Sequence, residues 1–236
     1  MSTPPQRWTL ATVYPDMWGD PADDPRNTEG LSPDGESATL LDYIHDYRLT
    51  LAMKCRGLTL DQMMTLSVPP SAMSLLGLVR HMTEVERDWR NWISDGDPEP
   101  AIYGGLDTAF DLSRLASQPG AAQSNNTLQA GAAQSNTSQA GASQFGTARS
   151  GAAHNNGARS DGEDIEGPLI TEAFDRLEQE QTATDAVVDR HEDLGTHLGR
   201  VGIAVRELQV HRIEEYARHC GHPDLLRECI DGRAGQ

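Results

Sequence analysis

Apolar residues recur at helical spacing in four segments of the chain. The clearest pattern follows the prolines of VPPS, with Ser71 in the expected N-cap region. There Leu75, Leu78, Val79, Met82, Val85, Trp89, Trp92 and Ile93 fall on one face of a helix. An earlier segment, SATLLDYIHDYRLTLAMKCRG, is framed by Ser37 as N-cap and Gly57 as stop. A third helix is expected over residues 169–190. A fourth is expected from about Val201 to Gly221, followed by a short tail helix in PDLLRECIDG. No stretch of useful length alternates as a strand would. Helices of this number and length predict an all-α fold, an antiparallel four-helix bundle with a short C-terminal helix.

The pattern lapses in two places. In residues 117–160, 38 of 44 positions are Gly, Ala, Ser, Asn, Gln or Thr, in a repeat of about ten residues that starts at Gly120, Gly131, Gly141 and Gly151. Only Leu128 and Phe145 are large and apolar, too little to offset the entropy of ordering the segment. It reads as a flexible low-complexity insertion at one end of the bundle, where connections are normally short. Six of the first 36 residues are proline, which predicts an extended N-terminal arm over 1–36, anchored by Trp8, Tyr14 and Trp18. The helical domain is then 37–236, interrupted at 117–160.

Charge narrows the function classes. With 19 Lys and Arg against 36 Asp and Glu, the net charge is −17, the wrong sign for a phosphate backbone or an anionic membrane surface. No apolar run is long enough to span a bilayer, and no secretory leader is visible. The three cysteines, Cys55, Cys220 and Cys229, form no CxxC pair, so a reducing cytoplasm is the expected setting. Neither nucleic acid nor membrane is an expected partner; a small-molecule substrate is. A homodimer is also expected, through an apolar patch at the Trp89/Trp92 end of the second helix.

Phosphate-loop, dinucleotide, nucleophile-elbow and zincin motifs are absent. Candidate chemistry lies in the fourth helix, in QVHRIEEYARHCGH. His211, Glu215 and His219 are spaced i, i+4, i+8 along one stripe. Neighbours four apart stand about 5–6 Å apart and can share a metal; the two histidines are about 12 Å apart along the axis and cannot. Either His211 with Glu215 or Glu215 with His219 can therefore be a ligand pair. His81, on the flank of the second helix, is the candidate third ligand. Two imidazoles and a carboxylate suit zinc first, with nickel or iron as alternatives, and leave positions open. Glu86 falls inside the apolar stripe of the second helix, where it should pair with an arginine such as Arg48 or Arg227. His222 reads as a helix-end residue.

The segments VPPSAMSLLGLVRHMTEVERDW, HRIEEYARHCGHPDLLRECIDG and LLDYIHDYRLTLAMKCRGLT resemble the DinB-like superfamily. They are most similar to its actinobacterial subset related to the N-terminal domain of mycothiol-dependent maleylpyruvate isomerases. That resemblance implies a four-helix bundle holding a divalent metal through His81 of the LVRH motif and the Glu215/His219 pair, with His211 beside the site. It also implies mycothiol as co-substrate in S-transfer or isomerisation, by attack of a metal-activated thiolate on an electrophilic small molecule. A non-catalytic metal- or ligand-binding bundle and a metal-dependent hydrolase are the competing readings.

Overall fold

The computed structural model describes residues 24–27, 32–116 and 167–235. The insertion at 117–160 and the proposed anchors Trp8, Tyr14 and Trp18 lie outside the described residues. Four long helices dominate: α1 (Glu36–Cys55), α3 (Leu75–Ile93), α5 (Pro168–Val188) and α6 (Val205–Asp231). Short helices α2 (Leu60–Met64) and α4 (Ser113–Ala116) lie in the connections, with a 3-10 turn at Thr108–Phe110. Helix α1 packs along α6 and α3 along α5, while α3 also meets α6. The expected all-α class holds.

Helix α3 follows its apolar pattern closely, since Leu75, Leu78, Val79, Met82 and Trp89 are all buried. It starts later than the sequence suggests. Ser74, not Ser71, is the cap, and its Oγ accepts the Gly77 amide at 3.1 Å. Trp89 lies in the molecule's own core at 1% exposure, so it cannot serve a dimer patch; Trp92 is partly exposed. Helix α1 begins at Glu36 rather than after a Ser37 cap. The Gly35 carbonyl accepts the Thr39 amide, and the Glu36 carboxylate sits in the positive first turn. The unforeseen α2 is a capping box, Thr59 with Gln62, whose side chains each bond the other's backbone amide.

The largest departure is at the C-terminal end. No break follows Gly221; α6 runs unbroken through Pro223 to a Gly232 C-cap. Tertiary contacts carry it past the proline. Pro223 and Leu226 are buried, and the Arg227 guanidinium donates to the last carbonyls of α1, Lys54 at 3.0 Å and Arg56 at 2.8 Å. A small antiparallel pair, β1 (His197–Leu198) with β2 (Ile203–Ala204), precedes α6 and was also not expected. Its turn presses on the end of α3: a Cβ at Gly199, where φ is +63°, would stand 2.0 Å from the Trp92 carbonyl oxygen. Gly199→Ala is therefore expected to cost at least about 2 kcal/mol in denaturant titration. A wild-type midpoint would show that the turn can withdraw from α3.

Each long helix contributes one charge to a cluster in the middle of the bundle. Arg48 (α1) bonds Glu86 (α3) at 2.9 Å and Asp185 (α5) at 2.7 Å. Arg212 (α6), fully buried, bonds Asp185 at 2.5 Å and Gln209 at 2.8 Å. Tyr216 donates its hydroxyl to Glu86 at 2.7 Å. Arg48 is thus the expected arginine partner of Glu86, and Arg227 is engaged elsewhere. Burial alone would raise the Asp185 carboxyl; the hydrogen bonds and charges of Arg48 and Arg212 override it and hold it below the ordinary range. The native state then takes up this proton later than the unfolded state does. The stabilisation is complete above about pH 4–5 and is lost as pH falls further. Asp185→Asn should accordingly flatten the acid limb of a melting-temperature profile; an unchanged limb would assign acid sensitivity to other carboxylates.

Candidate metal centre

His81 projects from the middle of α3 and His219 from α6, and the fold brings their Nε2 atoms to 3.2 Å. Glu215, one turn before His219, places Oε2 3.2 Å from the same His219 nitrogen. The three residues implied by the resemblance thus meet, with His219 at the vertex. His211 is elsewhere: its ring stacks on Trp92 at 5.5 Å and pairs with Glu214 at 3.5 Å. No ion pair joins His81 to Glu215, and among the described residues no group of three or more His, Cys, Asp or Glu side chains is already set to enclose a metal.

The donor set nonetheless fits a divalent cation. Zinc–ligand bonds of about 2.0–2.1 Å in a tetrahedron place donors about 3.3 Å apart. Two edges of that size are present, and the third requires Glu215 to turn toward His81. The Glu215 side chain is held from outside by exposed Arg218, at 2.8 Å through the other carboxylate oxygen.

The surroundings prepare both imidazoles. The Leu106 carbonyl lies 3.0 Å from His81 Nδ1. A carbonyl only accepts, so Nδ1 carries the proton and Nε2 presents its lone pair to the site. Phe110 stacks on the same ring at 4.8 Å. On the other side, His222 Nδ1 lies 3.3 Å from His219 Nδ1. Burial first, then the nearby His81, His222 and Arg218, push the His219 imidazole down to about 3. It is neutral at physiological pH, the form a metal requires. Such outer partners orient ligating histidines in metal sites generally.

Sequence reasoning missed two of these supports. His222 was assigned to a helix end, although its i+3 spacing from His219 places it on the same face. The segment from Pro98 to Phe110 has too little regular structure to read from periodicity. It is pinned by buried Glu84, which accepts the amides of Tyr103 and Gly105. Cys220 does not join this group: its thiol donates to the Tyr47 carbonyl, and burial pushes it up to about 12.

A family model described as mycothiol-S-transferase matches residues 39–158 and 143–232. The chain belongs to the mycothiol-S-transferase family, a DinB-like family. No curated protein and no solved structure matches it. Both matched ranges extend into the low-complexity insertion, while the long helices that carry His81, Glu215 and His219 fall within them. Among the described residues no helix is long and apolar enough to cross a membrane.

Proposed function

We propose that this chain joins mycothiol, through its sulfur, to an electrophilic small molecule, using a divalent cation, zinc first, held by His81, Glu215 and His219. The observation that carries this reading is the approach of His219 Nε2 to both His81 Nε2 and Glu215 Oε2, each at 3.2 Å, in a member of this family. When bound, the cation would acidify a thiol and keep it deprotonated at neutral pH. The chain's own residues do the rest. Leu106 and His222 fix the imidazoles, and Arg218 holds the outer oxygen of Glu215. Two neutral imidazoles and one carboxylate leave a net positive charge at the site, which favours an anionic sulfur over a neutral one. No cysteine is placed to act as nucleophile: Cys55 and Cys220 are buried with raised thiols, and Cys229 lies past the site.

Thiol-dependent turnover tests the reading. With mycothiol and 1-chloro-2,4-dinitrobenzene, a carbon–sulfur bond forms, chloride leaves with the carbon–chlorine electrons, and the thiol proton goes to solvent. The product should form above the uncatalysed rate, stop with a chelator and resume with zinc. Zinc binding without thiol turnover would favour a metal-binding bundle. Turnover indifferent to the chelator and to His81→Ala would remove the metal from the mechanism.

A further inference from the structure

Between α3, α4, the start of α5 and the Tyr103–Asp111 segment lies a cavity of about 350 Å³. That volume is at the low end of the ~300–1,000 Å³ typical of small-molecule sites. None of His81, Glu215 or His219 lines it. Its apolar wall is Leu76, Leu115 and Leu169, and its polar side is Arg80, Tyr103, Thr108, Asp111 and Glu172.

Arg80 is the unusual member. Most of the bundle's buried guanidiniums grip carboxylates: Arg48 and Arg212 hold Asp185, and Arg90 holds Glu180 at 2.6 Å. Arg80 has no ion pair among the described residues. It stands 4.3 Å from the centre of the Tyr103 ring, and one terminal nitrogen donates to the Asp111 carbonyl at 3.2 Å. Its Nε is buried without a hydrogen-bond partner, as are those of Arg48 and Arg212, but of the three Arg80 alone has no carboxylate on its other nitrogens. The Nε and second terminal nitrogen form the edge that carboxylates grip bidentately, and here that edge meets no acceptor. A buried donor left unmet is costly, and an entering acid would satisfy it once the side chain turns that edge into the cavity.

We propose that this cavity binds a small organic monocarboxylate, its acid group on Arg80 and its apolar body against Leu76, Leu115 and Leu169. A single cation suits one negative charge. Phosphate would gain no second partner, and Glu172 on the same wall would repel a dianion more strongly than a monoanion. None of the three candidate metal ligands lines the site, and the carboxylate is held by Arg80 without a metal.

Isothermal titration of the full chain with benzoate, in the presence of EDTA, tests the proposal apart from the metal reading. One site per chain with a Kd of about 1 mM or tighter is expected, a range suited to so small a ligand. Arg80→Gln should weaken binding about tenfold or more, and Arg80→Lys, which keeps the charge but loses the fork, by less. Glu172→Gln should strengthen it. Benzamide, the neutral isostere, and inorganic phosphate should bind much more weakly. Circular dichroism confirms that each variant is folded, and Arg80→Lys carries the test if Arg80→Gln is not. No benzoate binding up to about 10 mM, equal binding by wild type and the Arg80 variants, or equal affinity for benzamide would each overturn the proposal.

Discussion

Arg212→Met is expected to destabilise the protein by about 3–5 kcal/mol in urea titration, among the largest effects of any single exchange in this bundle. Arg212 is fully buried and bonds Asp185 and Gln209, with Glu86 3.8 Å away. Its removal leaves two carboxylates facing the single charge of Arg48, and one of them, Glu86, is fully buried where water cannot compensate. The loss comes from the imbalance more than from the hydrogen bonds themselves. A second exchange tests that cause. Glu86→Gln keeps the oxygen that accepts from Tyr216 and removes one negative charge, so Glu86→Gln with Arg212→Met should be more stable than the sum of the single losses allows. Strict additivity would mean the cluster works by packing alone.

The second large effect concerns metal linkage. Zinc added to chelator-treated protein should raise the melting temperature, because the unfolded chain cannot present groups from α3 and α6 together. His81→Ala, Glu215→Ala and His219→Ala should each abolish most of the rise. His211→Ala should keep it, since that ring lies against Trp92 and not at the triad. At saturating zinc, with the free ion about 100-fold above its Kd, the wild type should gain about 2.7 kcal/mol. His222→Ala should leave part of the gain, because it removes an orienting partner rather than a donor. Loss of the ion in the His211 variant with retention in the His219 variant would move the site one turn up α6. No change in any variant would return the stripe to an ordinary polar helix face.

The sequence was legible where burial and hydrophobicity coincide. Helix α3 buries Leu75, Leu78, Val79, Met82 and Trp89, and its pattern announces it. Helix α6 is less transparent because its inward face carries Gln209, Arg212, His219 and Arg227 beside Leu208 and Leu226. A stripe half built of polar residues does not register as apolar. For the same reason Gly221 and Pro223 looked like a stop: local propensity was visible, and the Arg227 contacts with α1 that outweigh it were not. At the candidate centre, spacing alone allowed two ligand pairs on α6. The choice of Glu215 and His219 rests on the resemblance, and the structure places His219 against both His81 and Glu215. The carbonyl of Leu106 and the Glu84-bound amides could not be read from side-chain pattern, because backbone groups do that work.

Lys54 is the chain's only lysine and is 1% exposed, its amine engaged by Asp224 at 2.6 Å and by the Gly235 carbonyl. Apart from the α-amino group, the folded molecule therefore offers acylating reagents no accessible primary amine. A hydroxysuccinimide ester would modify position 54 only when its contacts with Asp224 and Gly235 open, so the rate of that single modification measures how often the last part of α6 and the residues after it come away from α1.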